Sequence, residues 1–122
     1  MTIAELVSGP PIGCPANMPL AEAADMMMKE TVGSLAVMDG IRLLGIVTDR
    51  DLVGAVANGS LAKLTVGDIM TAEPDTVDVE TDIEDAIDWL NATGYRHLPV
   101  TEDDRLVGIV SIKDLLWAMA GR

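Results

Sequence analysis

Phenylalanine is absent from the 122 residues, and tyrosine, cysteine and histidine occur once each. With only two tryptophans besides, aromatic packing cannot build the interior. One cysteine, Cys14, excludes an internal disulfide and points to a reducing cytoplasm. One histidine and one cysteine do not make a zinc site without several carboxylates, so no metal is expected. Basic residues are also scarce: eight Lys+Arg against 20 Asp+Glu give a net charge of −12, and no basic run occurs. A duplex needs a cation at each phosphate contact, so nucleic acid is excluded as a partner, and an anionic membrane surface with it. No apolar stretch approaches a membrane span. The opening Met1-Thr2-Ile3-Ala4-Glu5 lacks the basic start and apolar core of a signal peptide.

What is present is aliphatic. Hydrophobic residues make up 49% of the chain and eight are methionine, enough for one compact domain filled by aliphatic chains and thioethers. The 20 acidic residues read as a solvated surface. Cys14, with no second thiol or neighbouring base, reads as a small buried apolar residue. Met26-Met27-Met28 reads as core or interface rather than a soft-metal box.

The chain repeats itself. A shift of 63 positions aligns residues 2–59 with 65–122 without a gap. Over residues 42–52 and 105–115, seven of eleven positions are identical, and Leu44/Val107, Thr48/Ser111 and Arg50/Lys113 are close substitutes. Pro11 meets Pro74, Ala23 meets Ala86, and Leu35 and Val37 meet Leu98 and Val100. The copies are taken as 1–59 and 65–122, with residues 59–64 linking them.

Each copy predicts the same elements. A short helix (3–7; 66–70) precedes a Pro-marked extended piece. A longer helix follows, with Pro19 at its first turn in copy one and a Thr81/Glu84 capping box in copy two. Ile83, Ala86, Ile87 and Leu90 recur there at helical spacing. Two strands (35–38 and 43–47; 98–101 and 106–110) turn at Asp39-Gly40 and Asp103-Asp104. A last helix (49–57; 112–120) closes the copy. The result is an α/β (α+β) fold of two β-α-β-β-α repeats. A copy of this size buries too little surface alone, and its strands are apolar on both faces. Packing about a pseudo-two-fold axis is therefore expected, with two related clefts where the copies meet.

The best-repeated feature is Gly-Ile-Val-[Thr/Ser]-x-[Arg/Lys]-Asp, running from a strand into a helix N-terminus, where free N–H groups favour an anion. Asp51 and Asp114 can accept from a ribose diol, Thr48 and Ser111 from or to a sugar or phosphate oxygen, and Arg50 and Lys113 can neutralise phosphate. The same Ser/Thr-x-x-Asp spacing is also a capping box, and spacing alone favours the cap. A capping aspartate folds back onto its own helix start; a ligand-binding one points into the cleft.

Val66-x-Asp68-Ile69-Met70-Thr71, then Arg96-His97-Leu98-Pro99-Val100, then Arg105 through Asp114, resemble a cystathionine-β-synthase (CBS) domain. Copy one follows with Leu35-Ala36-Val37 and Gly45 through Asp51. The resemblance covers essentially the whole chain, as in a stand-alone tandem pair. It implies a regulatory module, not an enzyme, with no required cofactor, binding AMP, ADP, ATP or S-adenosylmethionine and dimerising. It further implies that Asp51 and Asp114 hold ribose beside Thr48 and Ser111, with Arg96 and His97 on phosphate together with Lys113 or Arg50. Copy one has Gly33 and Ser34 where copy two has Arg96 and His97, so the two sites differ in phosphate affinity. His97 is read as a local hydrogen-bonding residue rather than a catalytic base. Leu115 to Ala120 is apolar on every side, which predicts a homodimer built on this helix and on its counterpart at residues 52–57. A downstream protein partner fits such a module. A ligand-free scaffold is the rival reading.

Overall fold

The computed structural model describes residues 1–7 and 10–121. The chain forms two compact units, and they are not the two sequence copies. One unit is continuous, Ile12–Pro74; the other is split, combining Met1–Pro11 with Asp75–Arg122. The leading segment of each copy therefore packs in the unit built mainly from the other copy.

In the continuous unit, β1 (Gly13–Cys14), β2 (Ser34–Asp39), β3 (Arg42–Thr48) and β4 (Thr71–Ala72) form one sheet in that order. Helix α1 (Leu20–Glu30) crosses between the parallel strands β1 and β2, α2 (Asp49–Ala57) follows β3, and α3 (Val66–Ile69) precedes β4. The split unit opens with a 3-10 helix (Ile3–Leu6). Its sheet is β5 (Val77–Asp78), β6 (His97–Glu102) and β7 (Arg105–Ser111), with α4 (Ile83–Thr93) and α5 (Ile112–Met119). A mixed α/β fold of two repeats is what the periodicities required, and the strands run one residue further at each end than expected.

The hairpins share one design. β2 and β3 pair antiparallel with an irregularity between Val37 and Met38, and β6 and β7 repeat it between Val100 and Thr101, 63 positions on. Asp103 and Asp104 both take left-handed backbone angles (φ 52° and 64°), as a tight hairpin demands and as aspartate tolerates better than most residues. In the other hairpin Asp39 still pairs with Arg42, so the turn proper is Gly40-Ile41, with Gly40 at φ 61°.

Side chains alternate across each strand, so Leu35, Val37 and Val47 face one side and pack with Leu20, Ala23, Met27, Leu52, Ala55 and Cys14. Ala36 and Ile46 lie on the opposite face and are buried too. The split unit matches this with Leu98, Val100 and Val110 against Ile83, Ala86, Leu90, Leu115 and Ala118, and adds Ile3 from the leading segment. Each of the larger aliphatic chains so buried contributes roughly 1.5–3 kcal/mol of transfer free energy.

The capping box expected at Thr81/Glu84 does not form. Asp82 is the N-cap of α4, and it makes no side-chain cap bond. The leading segment takes those positions instead. Ile83 N donates to Met1 O at 3.1 Å, and Ile3 N donates to Thr81 O at 2.9 Å. Pro19 likewise sits one residue earlier than expected, as the N-cap of α1. The shorter helices also contract: the first spans Ile3–Leu6 and is 3-10, and the last ends at Met119.

Candidate functional site

Both copies deliver the repeated aspartate to the same place, the turn from the hairpin's second strand into the closing helix. The register fixes the surroundings. Ser34 lies opposite Thr48 and His97 opposite Ser111, so each pair shares a face at the sheet end. The residue before each of those strands is tied to the helix start: Asp49 N donates to Gly33 O at 2.9 Å, and Ile112 N to Arg96 O at 2.8 Å.

At these turns the aspartates do fold back. Asp51 Oδ2 accepts from Thr48 N at 2.8 Å while Thr48 Oγ1 accepts from Asp51 N at 3.3 Å. Asp114 Oδ2 accepts from Ser111 N at 3.0 Å and Ser111 Oγ accepts from Asp114 N at 3.1 Å. Both are complete capping boxes. The cap occupies one oxygen of each carboxylate, whereas an ionised carboxylate has two oxygens and about four acceptor positions. Capping and ligand contact therefore do not exclude each other, contrary to the expectation from spacing. Among the described residues, Oδ1 of either aspartate accepts no hydrogen bond.

Thr48, Ser111 and Asp51 are half-buried; Asp114 is exposed. Arg50 and Lys113 project from the second position of their helices, both exposed, and Arg96 is exposed as well. His97 is half-buried and is not without a partner. The split unit thus gathers Arg96, His97, Ser111, Lys113 and Asp114 within a few backbone positions. Thr48, Arg50 and Asp51 form the corresponding set in the continuous unit.

Two features of the turns lie outside the expected site residues. Ser34 is buried to 8% exposure although polar. Asp49, the first residue of α2, aligns with Ile112, so an acid present at one turn is absent at the other. The 63-residue shift already displays that difference. A further cap joins Thr65 N to Asp68 Oδ2 at 2.8 Å at the start of α3.

Cys14 is buried in β1, and burial pushes its thiol upward from the ordinary range. Among the described residues, no group of three or more His, Cys, Asp or Glu is placed to hold a metal ion, and no helix is long and apolar enough to cross a membrane. Of the three successive methionines, Met27 is core and Met28 is exposed. The closing helices split similarly. Leu115 and Ala118 are buried, while Leu116, Trp117 and Met119 stay at least half exposed, as do Val53 and Val56 on α2.

Two α/β repeats, each closed by a capped strand-to-helix turn carrying a hydroxyl, a cation and a carboxylate, define a tandem-repeat module. The family model described as "CBS domain" matches residues 3–58 and 66–121, and the chain belongs to that family. It is 40% identical over 105 residues to an uncharacterised 17.7 kDa protein of Acidianus ambivalens, covering 84% of this chain and 63% of that protein. The chain thus spans under two thirds of the length of that curated relative. Among solved structures it is similar to the CBS domain pair of protein MJ0100 in complex with 5′-methylthioadenosine and S-adenosyl-L-methionine. The TM-score is 0.90 at 27% identity, covering 99% of this chain and 97% of that one. It is also similar to a CBS domain protein of Pyrobaculum aerophilum complexed with AMP, with TM-score 0.87, 25% identity and full coverage of both chains.

Proposed function

We propose that this chain is a regulatory module that binds an adenosine-containing ligand at its two capped turns. One observation carries the reading. The same hydroxyl–cation–carboxylate set stands at a helix N-terminus in both repeats, with one carboxylate oxygen at each accepting no hydrogen bond among the described residues. The helix dipole and the cation favour phosphate there, and the second carboxylate oxygens suit a ribose diol. Similarity to CBS pairs complexed with AMP, or with 5′-methylthioadenosine and S-adenosylmethionine, supports the ligand class. AMP, ADP, ATP and S-adenosylmethionine are the candidates. The role is sensing rather than catalysis: the ligand shifts a population of conformers by its differential affinity for them, and a protein partner reads the shift. We place the module in the cytoplasm, where a single buried thiol stays reduced.

The proposal includes a homodimer. Leu116, Trp117 and Met119 on α5, with Val53 and Val56 on α2, are apolar chains that a second copy would cover. Trp117→Lys should convert a dimer to a monomer in light scattering at micromolar concentration; a wild-type monomer would remove this part.

The test of ligand binding is thermal melting with each candidate. A ligand at 100 times its Kd stabilises by about 2.7 kcal/mol. Asp51→Asn and Asp114→Asn keep an acceptor for the cap but lose the anionic oxygens, so each should lose one ligand response while melting cooperatively. A flat response to every adenosyl compound favours the second reading, a scaffold whose aspartates serve only the capping boxes.

A further inference from the structure

Resting on the adenosyl-sensor reading, we infer that the two turns divide their ligands by charge. The Arg96–His97 turn takes an adenosyl group bearing phosphate, and the Gly33–Ser34 turn takes one without phosphate, neutral or sulfonium-bearing.

The repeat supplies an internal control, because six positions at one turn match six at the other. In the continuous unit these are Gly33, Ser34, Thr48, Asp49, Arg50 and Asp51, where one cation faces two acids for a net −1. In the split unit they are Arg96, His97, Ser111, Ile112, Lys113 and Asp114, where two cations face one acid for a net +1 with His97 neutral. Both charge-changing differences, Gly33 to Arg96 and Asp49 to Ile112, run in the same direction. The backbone makes them local: Arg96 O is bonded to Ile112 N, and Gly33 O to Asp49 N.

Asp49 does more than add charge. Its Oδ1 accepts from Arg50 N at 2.8 Å, so an internal carboxylate already occupies a donor at the start of α2 that a phosphate would use. Ile112 offers no acceptor at the matching place, so Lys113 N lacks the bond that engages Arg50 N, while Ile112 N and Asp114 N are bonded to Arg96 O and Ser111 Oγ.

Ser34 gives the phosphate-free site its own recognition group. Its side chain shares the sheet face and the end position of Thr48, and it is more than nine-tenths buried. It has no hydrogen-bond partner among the described residues. No sealed polar atom there lacks a partner, so the Ser34 hydroxyl keeps an opening to the outside. A nearly buried hydroxyl of this kind is offset by a bond from an incoming neutral group, and it supplies no charge to attract phosphate.

The experiment titrates the intact chain with AMP and with 5′-methylthioadenosine by calorimetry, at low and high salt, with amide chemical shifts to locate each ligand. AMP should perturb residues around Arg96 to Asp114 and weaken steeply with salt; methylthioadenosine should perturb those around Ser34 to Asp51 and hold its affinity. Arg96→Gly combined with Ile112→Asp should lower AMP affinity about tenfold or more, the loss expected for a charge-assisted phosphate contact, and leave methylthioadenosine within about twofold. The salt series on the unaltered protein decides the matter even if the double variant unfolds. AMP settling first at the Ser34 turn, or equal weakening of both ligands, overturns the division while leaving the sensor reading intact. Binding of neither compound, nor of any other adenosyl ligand, overturns both.

Discussion

The repeated glycine of the Gly-Ile-Val segment offers a sharp test of the packing, because the two copies use it against different obstacles. A Cβ built at Gly45 would stand 2.6 Å from Met70 Sδ and 2.7 Å from the Thr71 carbonyl oxygen. At Gly108 it would stand 2.9 Å from Val7 Cγ1, and its nearest contacts are all to that side chain. Neither glycine has a positive φ, so alanine is conformationally permitted at both and the cost is purely steric. Thr71 is held in β4 by pairing with Ile46, so its carbonyl cannot retreat without breaking the ladder. Val7 has only to change a rotamer or shift. Overpacking a close contact costs about 1–3 kcal/mol, and Gly45→Ala should fall near the top of that range and Gly108→Ala near the bottom. For a chain of this size 1 kcal/mol moves Tm by about 4 °C. The decisive assay is a double-mutant cycle by thermal or urea unfolding. Val7→Ala should relieve most of the added cost of Gly108→Ala, whereas Met70→Ala should leave most of that of Gly45→Ala, since the backbone oxygen remains. Equal costs, or full rescue by Met70→Ala, would refute the reasoning.

Other predictions follow from the same structure. Asp114→Ala and Asp51→Ala should each cost about 1 kcal/mol in ligand-free urea unfolding, the worth of a helix cap, with the asparagine variants recovering most of it. Ile3→Ala removes a fully buried side chain from the split unit and should cost about 2–5 kcal/mol. Hydrogen exchange should show lost protection in β6, β7, α4 and α5, and little change in β2 and β3. Cys14 should resist thiol reagents until the protein unfolds. Because burial raises its native thiol, the unfolded chain releases that proton first. The associated stability is therefore complete below the thiol's unfolded range and declines as pH climbs through it, a decline that Cys14→Ala should abolish.

Much of this architecture was legible because one gapless shift exposed it twice. The hairpin strands, the Asp103-Asp104 turn and the closing helices followed from alternation and turn residues, the first hairpin turning one residue later than expected at Gly40-Ile41, and α2 came out at residues 49–57 as expected. The aspartate caps were legible from spacing as well. Other features depend on contacts that periodicity does not encode. β4 is two residues long, and Thr71 and Ala72 carry no alternating pattern; they become a strand only by pairing with β3. Thr81 had the spacing of a cap, yet Met1 and Ile3 bond at the start of α4 and the N-cap falls on Asp82. Ser34 stands where the other copy has His97, and only burial singles it out. The exchange of leading segments was invisible in principle, since a repeat reads the same whichever sheet its first residues join.

That exchange bears on how the chain is made. Everything in Ile12–Pro74 is contiguous, so this unit can complete itself soon after its last residues leave the ribosome. The opening residues have no such option: Ile3 finds its apolar neighbours only once α4, the second hairpin and α5 have been synthesised. Until then Ile3 has no core to enter, so the split unit closes only when both of its segments are present.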